Sequence, residues 1–455
     1  MDSKLLLSVI IFLSTLYLMV RRPHKINLGL AAGVGALASL LVGTVTVEDA
    51  IQAFREIWDA ALTFVGIVML SLTLDAMGFF KWAALKAVRF SRGDGVKLYF
   101  AISALAALVS ILFANDSAVL ILTPIVLEVV SQLKMSGEAR LAYLFAAGLV
   151  ADTASMPLIT SNPVNIVSAN FFGYNFIDHL ILMGPVAIVT IIISILTVYL
   201  FFRNRIPKSY SLDVVEILNI DDSLISRRNL KIIFLLLISI DAGYVIASLN
   251  GIPVSIIICS GSLFLLALYS ISLKNERPLR EERRDVSKIL REVNWDILIF
   301  MISIFLVVQG LKHAKIDEFF AYIFTYGSNL PFLLNTLVPS LIVTVSASAM
   351  NNWPMTMLGL ISIRRARLHN NLSPKAYTGL IFSNIIGNNL GPHFFPLGSL
   401  AILMWLETIR RRGLTISLRD YLKVGSVLSI LEVTTASIIL WIELNIINLG
   451  MYKII

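Results

Sequence analysis

The sequence predicts an all-α polytopic membrane protein: about ten transmembrane helices plus two re-entrant hairpins, in two inverted repeats with scaffold and elevator-like transport subdomains. Three observations predict it. Hydrophobic residues make up 57% of the 455 and charged residues 15%, where a soluble domain carries roughly 45–50% and about 25%. The apolar residues arrive in repeated blocks of about 16–25, the length a helix needs to cross roughly 30 Å of hydrocarbon. Four blocks are interrupted by Asn, Pro or Gly at matching places in the two halves of the chain.

Residues 5–20 form the first block. Arg21, Arg22, His24 and Lys25 follow it where a signal peptide would show small residues, so 1–25 reads as a retained anchor helix. The first repeat, 26–202, has helices at 26–43 and 60–79 and an amphipathic stretch at 81–93. A hairpin at 98–133 follows, with its tip at Asn115-Asp116, then a helix at 141–172 broken by Asn and Pro, and a last helix at 179–202. A cytoplasmic connector with a linking helix occupies 203–252. The second repeat, 253–449, keeps the same order: helices at 253–273 and 295–312, an amphipathic stretch at 317–328, and a hairpin at 331–363 tipped by Asn351-Asn352-Trp353-Pro354. A broken helix at 376–408 and a last helix at 421–449 complete it.

The formal charge of +8 comes from 37 basic and 29 acidic residues. The basic residues fall in short loops, the pattern that orients membrane proteins with Lys and Arg inside, and not one that points to nucleic acid. Residues 21–25, 81–97, 203–231, 274–294 and 410–412 are then cytoplasmic, and 44–59 and 173–178 outside. With both hairpins re-entrant the two repeats run in opposite orientation. Arg364, Arg365 and Arg367 would face outward, against the rule. The run Lys274, Arg277, Arg280, Arg283, Arg284, Lys288 and Arg291 reads as a solvated connector, and it also offers a docking place for a cytosolic partner.

The interruptions are Asn115-Asp116-Ser117, Ser161-Asn162-Pro163-Val164-Asn165, Asn351-Asn352-Trp353-Pro354 and Gly387-Asn388-Asn389-Leu390-Gly391-Pro392. Lipid cannot satisfy the backbone groups that such breaks free, so they survive only against protein or a water-lined cavity. Half-helix N-termini then present N–H donors, freed carbonyls accept, and Asn side chains do both. This chemistry suits a small polyhydroxylated solute or a hydrated ion. A lone break could be an Asn capping a kinked helix; four in matching positions point to binding. The expected ligand groups are Asn115, Ser117, Thr153, Ser161, Asn162, Asn165, Asn351, Asn352, Asn388 and Asn389.

Acidic residues inside the membrane mark ion or proton paths. They are Asp75, Asp116, Glu128, Asp152, Asp241, Glu432 and Glu443. Asp116 at a hairpin tip and Asp152 before the first break are the expected proton carriers, and neither has an evident cationic partner nearby in sequence. Asp75 can snorkel or pair with Lys81, and Glu443 reads as lying near the outer surface. His24, His313 and His369 read as loop residues and His179 as interfacial; His393, after the second break, is a further coupling candidate.

Four stretches resemble the arsenite/antimonite efflux permeases of the ion transporter superfamily: Phe113 to Glu128 (FANDSAVLILTPIVLE), Ala151 to Phe172 (ADTASMPLITSNPVNIVSANFF), Met350 to Ile363 (MNNWPMTMLGLISI) and Gly387 to Trp405 (GNNLGPHFFPLGSLAILMW). The similarity is collinear over about 24–445. It implies export of trivalent arsenic or antimony across the cytoplasmic membrane in exchange for protons, sometimes assisted by a soluble ATPase subunit. Asn389 and His393 stand where Asp and Lys are common in that family, and Asn170 where Asp is common.

The single cysteine, Cys259, excludes intrachain disulfides and multi-cysteine metal sites, and also any polythiolate trap that would hold trivalent arsenic too tightly. Phosphate-loop, zinc-protease, nucleophile-elbow and aspartyl-phosphate motifs are absent, which argues against an enzyme or a primary pump. No cofactor is implied. The competing readings are a sodium/proton antiporter, an exporter of another small oxyacid or carboxylate, and a passive channel. The oligomeric state is left open.

Overall fold

The computed structural model describes residues 3–23, 26–211, 225–275, 284–369 and 372–447. Among them the chain is helical, and the one β contact is an isolated bridge between Asp94 and Ser209. The first half contains α1 (Ser3–Arg21), α2 (Leu28–Val42), α3 (Val47–Ala76), α4 (Phe79–Ser91), α5 (Gly95–Phe113) and α6 (Asn115–Gln132). Next come α7 (Gly137–Phe145), which runs through a π turn (Ala146–Val150) into the single turn α8 (Ala151–Thr153), then α9 (Pro163–Phe172) and α10 (Phe176–Phe202). α11 (Arg227–Leu249) links to α12 (Val254–Asn275), α13 (Val286–Glu292), α14 (Asp296–His313), α15 (Ile316–Ser328), α16 (Leu334–Met350) and α17 (Asn352–His369). The chain ends in α18 (Pro374–Leu390), α19 (Leu400–Arg411) and α20 (Leu418–Asn445).

Among the described residues, eight helices are long and apolar enough to span a membrane. The count differs from about ten because α2 has only 15 residues and the two interrupted helices are built of shorter pieces. In turn α5, an arm of the first hairpin, meets the length by itself. The amphipathic stretches are α4 and α15, each of 13 residues.

The same local structure recurs 237 positions further along. Gly78 and Lys315 both take the left-handed conformation before a 13-residue helix, with φ of 83° and 61°. Ala114 and Asn351 both break a hairpin, with φ of 63° and 78° and ψ of 150° at each. Asn162 and Ser399 each cap the second half of an interrupted helix, accepting from the N–H of Val164 and Ile402. Such caps satisfy donors that a helix start leaves open.

Packing follows the same exchange. α2 lies against α14 and α3 against α12, so the first helix of each half meets the second of the other. Asp296 accepts from Gly29 N at 2.8 Å, and Asp59, 237 positions earlier, accepts from Ser255 N at 3.1 Å. In each case a carboxylate closes the N-terminus of the opposite helix, where the helix dipole favours negative charge. Likewise α6 packs on α19 while α17 packs on α9. A Cβ on Gly148 would lie 2.5 Å from the Trp405 indole, so the absent side chain admits that ring against the interrupted helix.

The basic residues that end the second hairpin find partners within the protein. Arg365 pairs with Asp317 at 2.9 Å and with Glu318. Arg364 lies 3.4 Å from the Phe171 ring centroid and donates to Phe171 O at 3.0 Å. Asp75 pairs with Arg284 and not with Lys81, which pairs with Glu128 at 3.3 Å. The end of α3 is thus tied to the connector by Asp75. Residues 276–283 of the basic run lie outside the described residues.

Candidate functional site

The two interruptions meet. α8 ends at Thr153 and the chain turns and bends through a 3-10 turn (Ile159–Ser161) to Asn162, which starts α9; α18 runs to Leu390 and the chain resumes as α19 after Ser399. The breaks therefore lie at about 154–162 and 391–399. Asn388 and Asn389 sit in the last helical turn before the second break and bond back to the carbonyls of Asn384 and Ile385.

Asn389 is the hub. Its amide oxygen accepts from Asn162 Nδ2 at 2.9 Å and Ser155 Oγ at 3.0 Å, and its Nδ2 donates to Asn165 Oδ1 at 2.9 Å. Asn165 in turn donates to the carbonyls of Ser155 and Leu158, freed by the break. The side chains of Ser155, Asn162, Asn165 and Asn389 are all buried, so each bond among them replaces one that water would have supplied.

Beside the amides lies a buried charged group. His393 Nδ1 is hydrogen-bonded to Glu432 Oε2 at 2.8 Å, and its Nε2 stands 3.1 Å from Asp152 Oδ2, outside hydrogen-bond alignment. Asn115, at the first hairpin tip, donates to Asp152 Oδ1 at 2.7 Å. Thr153 donates to Glu432 Oε1 at 2.6 Å, with the Ser194 hydroxyl 3.0 Å from that of Thr153. Asp152 therefore faces a cationic candidate that its neighbours in sequence do not supply. The partner arrives from α20's neighbour in the other half, 241 residues away.

The other expected residues are more scattered. Asn352 donates weakly to Asn388 O at 3.4 Å; Asn388 donates to Asn384, and the side-chain oxygens of Asn352 and Asn388 are buried without hydrogen bonds. The Ser117 hydroxyl is buried and unbonded too. Ser161 turns away to Ile111 O, and Asn351 to Leu397 O. Asp116 is half-buried; its backbone N–H bonds Asn115, and its carboxylate is not in the imidazole group.

Sequence reasoning places some residues differently. His179 is buried within the protein, with Nε2 on Met156 O at 2.9 Å, which pins the broken segment. Glu443 is buried within the protein, with neither carboxylate oxygen hydrogen-bonded. His313 ends α14 and meets Thr44 O at 3.0 Å. Ser155, Ser194 and Asn384 carry no signal beyond being polar in apolar blocks. Glu432 does carry one, as an acid in the middle of the last block.

Interrupted helices whose polar breaks converge on a buried charged group define a membrane transporter. The family model described as arsenical pump membrane protein matches residues 7–444, and the chain belongs to that family, as a multi-pass protein of the cell membrane. It is 36% identical over 440 residues to an arsenical pump membrane protein of Escherichia coli, covering 96% of this chain and 99% of that one. It is 34% identical over 446 residues to one of Yersinia enterocolitica, covering 97% and 100%. Among solved structures its fold is similar to that of the Alcanivorax borkumensis YdaH transporter, with TM-score 0.58 and 14% identity over 88% of each chain.

Proposed function

We propose that the protein exports trivalent arsenic and antimony, as arsenite and antimonite, in exchange for protons. The observation that carries this reading is the joining of two features: an amide cluster made by both interruptions, and a carboxylate–imidazole group bonded to a hairpin tip through Asn115. Undissociated arsenous acid is a neutral triol, so hydroxyl donors and acceptors suffice to hold it. Asn115, Ser117, Asn162, Asn165, Asn352, Asn388 and Asn389 supply both kinds, with Thr153, Ser161 and Asn351 shaping the site.

Exchange requires that cargo and proton exclude one another. A cargo hydroxyl donating to ionised Asp152 stabilises the charged form, whereas a proton on the same carboxylate removes the acceptor. The carboxylate is thus offered to one or the other. Alternating access follows from two inverted repeats, 26–202 and 253–449, with hairpins 98–133 and 331–363 and the broken helices as the moving part. α2, α3, α12 and α14, which clamp one another by Asp59 and Asp296, form the static part. A cytosolic ATPase would dock on 274–294.

Everted vesicles test the reading. A pH gradient, acid inside, should drive arsenite or antimonite accumulation that a protonophore collapses. Accumulation driven by sodium alone would support a sodium-coupled exchanger, and equilibration without accumulation a channel.

A further inference from the structure

The recurrence at 237 positions accounts for Asp59 and Asp296 as paired helix clamps, but it leaves one charged group unexplained. Where one half has Asp152, the other has Asn389; where the second has His393, the first has Met156. The fold is served at those places by an amide and a thioether. A buried ion pair adds little stability over an apolar filling, and charges within a membrane are costly. Two carboxylates and one imidazole, 0–2% exposed, therefore call for a role that architecture does not supply.

We propose that Glu432 is a proton-binding residue, exchanging its proton with Asp152 through His393; its use in transport rests on the exchange reading above. The geometry carries the inference. Thr153 occupies Glu432 Oε1, which leaves Oε2 to face the ring at 2.8 Å, while Asn115 occupies Asp152 Oδ1 and leaves Oδ2 to face the opposite ring nitrogen at 3.1 Å. Protonated Glu432 gives its proton to Nδ1 as Nε2 releases its own to Asp152 Oδ2. The O–H of Glu432 breaks, that of Asp152 forms, and the ring changes tautomer without net change of charge. The ring is aligned with Glu432 and only apposed to Asp152, so a small rotation completes the path. The other titratable groups at this place are Asp116 on α6 and the buried Tyr421 hydroxyl on α20.

Glu432→Gln keeps size and can accept from Thr153, but it cannot ionise. In the infrared difference spectrum of the purified protein in vesicles, acidic against alkaline buffer, this variant should lose one carboxylic-acid band. In everted vesicles, pH-driven arsenite accumulation should fall about tenfold or more, while downhill arsenite counterflow persists. Glu432→Asp should restore accumulation with a displaced pH profile, a result that a packing role does not give, and it serves as the test if the Gln variant does not reach the membrane. Retention of every band in Glu432→Gln, or a wild-type pH profile in both variants, would overturn the proposal. If wild-type vesicles gather no arsenite on a pH gradient while the band belongs to Glu432, the exchange reading fails and the proton site stands.

Discussion

Asn162 donates to the side-chain oxygen of Asn389 at 2.9 Å across 227 residues of sequence, so one hydrogen bond ties together the interruptions of both halves. The Nδ2 of Asn389 reaches on to Asn165. Removing the hub leaves buried partners unpaired on α9.

Asn389→Ala should therefore destabilise the protein by roughly 1–3 kcal/mol and reduce arsenite efflux strongly at normal membrane abundance. Combined with Asn162→Ala, the losses should be less than additive, with a coupling of about 0.5–3 kcal/mol. Thermal unfolding of the detergent-purified single and double variants, with efflux from loaded cells, checks this.

Asp152→Asn should abolish accumulation of arsenite against a gradient and leave downhill exchange. Asp116→Asn, whose carboxylate is near enough to Asp152 to repel it but bonds neither ring nitrogen, should retain most of the accumulation. For a neutral cargo each counter-moving proton supplies about 2.3 kcal/mol per 100 mV, about 1.7 decades of gradient. Everted-vesicle uptake with and without a pH gradient distinguishes the two variants, and equal behaviour would refute the assignment.

Gly359→Ala should disturb the site without removing any polar group. The new Cβ would lie 2.2 Å from Asn384 Oδ1, and Asn384 accepts from Asn388 at 3.0 Å. Overpacking of this kind costs about 1–3 kcal/mol. The expected result is weakened arsenite transport with a lowered Tm, and Gly359→Ala/Asn384→Ser should recover part of the stability.

Arg365→Ala should destabilise by about 1.5–3 kcal/mol, because the side chain of Asp317 is 1% exposed and loses its partner. Asp317→Asn in the same chain should restore part of the loss, measured by denaturation in detergent. No recovery would mean that the guanidinium acts through Glu318 or packing alone.

The order of elements is legible in the sequence because apolar length, amphipathic stretches and polar interruptions are local signals. The place of each break is legible to within several residues. Asn388 and Asn389 look like the break and instead bond back inside the last turn of α18, where a polar side chain can replace a backbone partner. The partner of Asp152 is not legible, since only the packing of α18 and α20 brings His393 and Glu432 to it. Asp75 fails for the same reason: Lys81 is near in sequence, while Arg284 is near in space. Polarity marks residues that need a partner and does not say which partner they find.

The reciprocal clamps, Asp296 on the start of α2 and Asp59 on the start of α12, bear on ancestry. A polypeptide of one half alone would leave a helix end and an aspartate unmatched unless a second copy inserted upside down beside it. Two such copies would reproduce both contacts about a twofold axis in the plane of the bilayer. The present chain carries both contacts within one polypeptide. α11 links the two halves, so the match does not depend on two separate copies meeting.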